Sequence, residues 1–136
     1  MVNVPSFLVV GDPSDEYGMQ MLCEMLSELG VVRVGGKDEL IECLEAHAYD
    51  AVILDAGAVS PAATAVTEIL RQSPSTEVYV ITASPHWRVA RDVLRAGATD
   101  YMPKSRLGED LIASLRSIAQ RSTRPDGSVG VDGGGS

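Results

Sequence analysis

The chain has 136 residues, of which 45% are hydrophobic and 22% charged, with a formal net charge of -8; that is enough apolar material for one buried core and too little for two. No apolar run approaches the roughly 20 residues of a membrane span, and the N-terminus lacks the basic start and cleavage pattern of a secretory leader, so a cytoplasmic location is expected. The acids gather in the front half, where residues 1–60 hold 11 acids against 2 bases while residues 61–136 hold 8 against 9. This balance disfavours nucleic acid as a direct partner, since phosphate binding draws on clustered Lys and Arg, and makes a cation the expected company of the acids.

The first predicted element is a strand at Phe7–Val10, and "FLVVGDPSD" releases polar turn-formers and two aspartates as soon as that run ends. A helix follows, in which Tyr17, Met21, Met25 and Leu29 recur at i+4 beside Leu22 and Leu26, with Gly30 placed as a C-cap. On this pattern Met19, Met21 and Met25 are core filler. Further apolar runs at Val31–Val34, Ala51–Leu54, Val78–Ile81 and Ala98–Met102 read as strands, mostly continuous rather than alternating. Such runs suit strands buried on both faces of a parallel sheet. Helical periodicity separates or follows them around Leu40, Ile41 and Leu44, around Val66, Ile69 and Leu70, around Val89, Val93 and Leu94, and around Leu111, Ile112, Leu115 and Ile118. Five alternations of strand and helix define an α/β layered fold with helices on both faces. Residues 4–120 are read as one domain and residues 121–136, rich in glycine, as a flexible tail or linker. Cys23 and Cys43 have neither metal-site nor disulfide-framework spacing and read as buried thiols. His47 and His86 read as surface residues without catalytic companions.

In an open parallel sheet the binding crevice lies at the carboxyl ends of the strands. The residues found there are Asp12 after the first strand, Asp55 after the third, Thr82 at the end of the fourth and Lys104 after the fifth. Each alone has an ordinary explanation as a cap, turn residue, strand residue or solvated charge. Together, two acids, a hydroxyl and an ammonium converge on one edge, and neighbouring carboxylates require a neutralising partner.

The stretches "FLVVGDPSD", "YDAVILD", "VYVITAS" and "AGATDYMPKS" resemble the receiver domain of bacterial response regulators, the CheY-like family of two-component signalling, over residues 4–120. The resemblance implies a flavodoxin-like (βα)5 fold, a doubly wound five-stranded parallel sheet of strand order 2-1-3-4-5. It implies that Asp55 accepts a phosphoryl group from a histidine kinase or phosphotransfer protein, and that Mg2+ is held by Asp12, Asp55 and the backbone carbonyl of Gly57. It further implies that Thr82 and Lys104 contact the phosphoryl group and that Thr82 and Tyr101 form the switch. Such a protein is a signalling switch that at most catalyses its own phosphorylation and dephosphorylation.

The pattern breaks at three places. Gly11 stands where receivers carry the first of two adjacent acids, so weakened magnesium binding is expected; Asp15 is nearby but is explained by the helix start. The loop after Asp55 reads "AGAVSPAA", and Lys104 is followed by Ser105 instead of proline, so a trans peptide and a displaced Lys104 are expected. These departures leave a second reading open, a phosphorylation-independent pseudo-receiver used for docking or dimerisation, for example fused to a pilus-assembly ATPase. Flavin binding is disfavoured, because an acidic first loop repels a phosphate. Arg88, Arg91 and Arg95 fall at i, i+3 and i+7 with Trp87 at the head of the stripe, on the helix 4, strand 5, helix 5 face that receivers present to partners or to a second copy. Asp92, Asp100 and Asp110 are the candidate cross-subunit partners of these arginines.

Overall fold

Parity along each strand decides where everything else sits. Successive side chains of a strand point to opposite faces, and here both faces are apolar. Phe7, Val9, Ala51, Ile53, Tyr79, Ile81 and Met102 point to one face, and Leu8, Val10, Val52, Leu54, Val78 and Val80 to the other, all buried. The computed structural model describes residues 4–11, 16–106 and 110–122. Its sheet has five parallel strands, β1 (Ser6–Val10), β2 (Val31–Gly35), β3 (Ala51–Asp55), β4 (Glu77–Thr82) and β5 (Asp100–Pro103), in the order β2-β1-β3-β4-β5. The helices are α1 (Glu16–Ser27), α2 (Leu40–Ala46), α3 (Ala62–Gln72), α4 (Trp87–Ala96) and α5 (Ile112–Ser122). Leu22 and Leu26 of α1 and Ile112, Leu115 and Ile118 of α5 cover the first face. Leu40 and Leu44 of α2, Val66 and Ile69 of α3 and Val93 of α4 cover the second. This is the flavodoxin-like topology expected from the alternation and the resemblance.

The structure corrects several local readings. In α1 the buried pair is Leu22 and Leu26; Met25 packs at the margin and Met21 is exposed, because one residue along a helix turns it about 100° away from the sheet. The side chains of Tyr17 and Met19 lie outside the described ones. Strand β2 is an edge strand with Val31 and Val34 exposed, so two-faced burial stops one strand short of that edge. Gly30 does not end α1 through a left-handed residue. A Cβ there would lie 2.1 Å from the carbonyl oxygen of Pro5, the same oxygen that accepts from Val31 N–H at 2.9 Å, so the glycine lets two backbones close together at the start of β2. Cys43 is buried, while Cys23 is half-buried and burial pushes its thiol above the ordinary range.

The fifth strand starts later than its apolar run. Gly97 closes α4 at φ 113°, a left-handed cap, and Ala98 N–H returns to Val93 O at 2.9 Å. Thr99 then exchanges hydrogen bonds with Val78 through its amide (2.7 Å) and its hydroxyl (3.2 Å), so residues 98–99 finish the helix before pairing begins at Asp100. Gly97→Ala should cost about 1–2 kcal/mol, since it places a Cβ on a left-handed residue and 2.6 Å from Leu70 Cδ1. Gly36→Ala, at φ -88° with only a 3.7 Å neighbour, is the control. Urea titrations in which both variants match the parent would contradict this account of how α4 ends.

Candidate functional site

Strand β3 lies between β1 and β4, and its last residue, Asp55, is 3% exposed. The chain turns sharply there: Ala56 N–H still donates to Ile81 O at 2.9 Å, whereas Ala58 and Val59 N–H both fold back onto Asp55 O at 3.1 Å. The carboxylate is thereby left at the strand edge, and both of its oxygens have partners. Gly57 N–H donates to Oδ1 at 2.9 Å, and Lys104 Nζ donates to Oδ2 at 2.8 Å. Lys104 comes from the 3₁₀ turn Lys104–Arg106 that follows β5, two strands away across the sheet. A carboxylate this buried requires such a cation, because stripping its water without a partner costs several kcal/mol.

The peptide after Lys104 is trans; among the described residues the cis bond is Ser60–Pro61. The ammonium nevertheless reaches Asp55, so the anticipated displacement of Lys104 does not carry it out of hydrogen-bonding range.

Thr82 ends β4, is 6% exposed and accepts Ser84 N–H on Oγ1 at 3.0 Å. Tyr101 on β5 is half-buried, and its hydroxyl oxygen accepts His86 N–H at 3.1 Å. Both side chains line a cavity of about 340 Å³ between α3 and α4, which Gly57, Ala62, Val89 and Val93 also border. A more open groove of about 570 Å³ lies on the other side of Gly57, walled by Gly11, Gly36 and the turn Lys37–Glu39. Gly11 is buried and extends the β1–β2 ladder by one amide, donating to Gly35 O at 3.3 Å. Asp12 and Asp15 lie outside the described residues. Among the described residues no group of three or more His, Cys, Asp or Glu could hold a metal ion, and the carboxylate buried at this strand edge is that of Asp55.

On α4, Trp87 is 64% exposed, and the guanidinium carbons of Arg88 and Arg91 each stand 5.2 Å from its ring centre. Arg91 pairs with Asp92 at 3.1 Å and Arg106 with Asp110 at 3.0 Å within the chain, so two of the three candidate cross-subunit acids already have local partners. From the sequence His86 reads as an ordinary surface residue. It is exposed, but its Nδ1 accepts Arg88 N–H at 3.1 Å and caps α4. The signal was its place just after Pro85, where a helix has to begin; histidine is simply uncommon among capping residues.

No protein-family model matches the chain. Response regulator ArlR of Staphylococcus aureus is 34% identical over 91 residues, which is 67% of this chain and 41% of the relative. The chain thus spans less than half the length of the curated relatives it matches. Among solved structures, a CheY-like response regulator receiver domain protein from Methanospirillum hungatei JF-1 superposes with a TM-score of 0.75 at 15% identity, covering 88% of this chain and 96% of that one. A response regulator from Burkholderia pseudomallei, described with a phosphorylated aspartic acid and a calcium ion, superposes with a TM-score of 0.68 at 18% identity, covering 90% and 68%. The chain has the CheY-like receiver fold of response regulators.

The ion pair can be tested by a double-mutant cycle. Lys104→Met should cost about 1–3 kcal/mol by leaving a buried acceptor without its donor, and Asp55→Asn in the same chain should return most of the loss by removing the charge. A double variant no more stable than Lys104→Met would show that this pair does not hold the edge together.

Proposed function

We propose that the chain is a phosphorylatable signalling switch, with Asp55 accepting a phosphoryl group from a histidine kinase or phosphotransfer protein. The carrying observation is the buried Asp55 carboxylate at a strand end, held between Gly57 N–H and Lys104 Nζ. One carboxylate oxygen attacks phosphorus in line; the new O–P bond forms as the donor's P–N bond breaks, and the departing imidazole keeps the electron pair. Lys104 neutralises charge on the transferring oxygens and Gly57 N–H orients the carboxylate. Thr82, with its hydroxyl hydrogen free to donate once it turns from Ser84, contacts the phosphoryl group, and Tyr101 responds from the other side of the cavity.

Mg2+ would supply further neutralisation at a hard, oxygen-rich site. Asp55, the main-chain carbonyl of Gly57 and Asp12 are the residues that would hold it, and position 11 adds no carboxylate. Support for an aspartyl-phosphate comes from the Burkholderia structure, whose description names one. The kinase or phosphotransfer donor is inferred from the likeness to response regulators such as ArlR.

The face bearing Trp87, Arg88, Arg91 and Arg95 serves as the partner face, including for a second copy of the chain. An exposed tryptophan flanked by arginines has the composition of interface hot spots.

Intact mass after treatment with a small phosphodonor and Mg2+ should rise by one phosphoryl group, and Asp55→Asn should abolish the gain. Gly11→Asp should lower the Mg2+ concentration needed, since it returns a carboxylate to the site. A folded parent whose mass does not change would favour the pseudo-receiver reading instead. For the partner face, Arg91→Glu should weaken any dimer seen by sedimentation; a parent that stays monomeric at high concentration, with and without phosphodonor, would remove self-association from the proposal.

A further inference from the structure

Arg88, Trp87 and Tyr101 meet at His86. Its Nδ1 accepts Arg88 N–H at 3.1 Å, its own N–H donates to Tyr101 Oη at 3.1 Å, and its ring stacks on Trp87 with centres 6.3 Å apart and planes 17° from parallel. The residue is held in extended backbone, φ -144° and ψ 130°, and its carbonyl accepts the first helical bond, from Ala90 N–H at 3.0 Å. One residue therefore ties β5 to the first turn of α4 and to the exposed indole beside it. We propose that His86 is a proton-sensitive positioning residue that couples Tyr101 to the α4 face.

The chemistry follows from the acceptor. An imidazole accepts a hydrogen bond on Nδ1 only while that nitrogen carries no proton, so the cap exists only in the neutral ring with hydrogen on Nε2. A proton on Nδ1 converts the acceptor to a donor facing another donor, Arg88 N–H, and places positive charge at the positive end of the α4 dipole. The surroundings do not offset it. On α4, Arg88 and Arg91 add positive charge over Trp87, and the Asp92 carboxylate is already paired with Arg91. From β5 the facing group is the Tyr101 hydroxyl, and Lys104 just beyond is bound to Asp55. From α3 the residues that border the cavity beside Ser84 and Tyr101 are Ala62 and Ala63, which carry no charge. Once the cap is lost, the extended backbone of His86 is no longer fixed, and the N–H that holds Tyr101 moves with it.

This deepens the reading of Tyr101 as the moving residue, but its test needs no phosphoryl transfer. Trp87 is the sole tryptophan, so its fluorescence reports on the stacked imidazole directly. On the full chain without phosphodonor, NMR should show the His86 ring, the Arg88 amide and the Tyr101 ring shifting with one shared midpoint as the pH is lowered. Trp87 emission should change at the same midpoint. His86→Asn, which keeps a side-chain acceptor that does not titrate, should hold the high-pH positions of Arg88 and Tyr101 throughout. His86→Ala should hold the low-pH positions throughout. An Arg88 amide or Tyr101 ring that stays still while His86 titrates, or a pH response that survives in His86→Asn, would overturn the proposal. A chain that takes up no phosphoryl group would fail the signalling reading and leave this titration to be decided by itself.

Discussion

The edge of this sheet is organised by one contact, the 2.8 Å ion pair between Asp55 and Lys104. A carboxylate that is 3% exposed cannot remain there without a cation, and the cation arrives from beyond a strand that is two positions away in the sheet. That requirement explains features that otherwise look unrelated. Strand β4 must be apolar and tightly in register so that β5 is carried close enough, and the turn Lys104–Arg106 must follow β5 directly so that the lysine is not swung off the edge. It also explains why both Asp55 oxygens are occupied. Gly57 N–H takes the one that Lys104 leaves, and neither is left desolvated without a donor.

Against that constraint, the glycine at position 11 bears on the charge balance of the edge rather than on its architecture. Asp55 and Lys104 cancel as they stand. A second acid on β1 would add repulsion that only a bound cation relieves, whereas a glycine leaves the metal-free edge closer to neutral. The groove beside Gly11 is also bordered by Gly36, Gly57 and the charged turn Lys37–Glu39.

Much of this was legible in the sequence because it depends on periodicity. Runs such as Ala51–Leu54 are apolar at every position only because helices cover both faces, and the strand-end residues Asp55, Thr82 and Lys104 stand out because polarity switches on abruptly there. What was not legible depends on backbone. The late start of β5 follows from a left-handed Gly97 and a helix-closing hydrogen bond, and the reason for Gly30 is the approach of Pro5, a neighbour 25 residues earlier in the chain. The exposure of Val31 and Val34 is a property of strand order, which no local pattern encodes. Gly57 and Ser84 act through their main-chain amides, which residue type does not reveal.

The connection between β4 and α4 is the lightly fastened part of this edge. It is fastened at two points by single hydrogen bonds, Ser84 N–H to Thr82 Oγ1 at 3.0 Å and His86 N–H to Tyr101 Oη at 3.1 Å. Each is worth about 1 kcal/mol net, whereas the strands on either side are held by buried side chains worth roughly 1.5–3 kcal/mol apiece. A new charge at Asp55 that draws the Thr82 hydroxyl needs only to outweigh the first of these bonds, and a charged acceptor does so, because hydrogen bonds to charged groups contribute about 1.5–3 kcal/mol. Under the proposed switch, the response would be confined to the connection and to the first turn of α4, with the sheet unchanged. The cavity of about 340 Å³ between α3 and α4, bordered by Thr82 and Tyr101, gives these side chains room to rearrange without expanding the core.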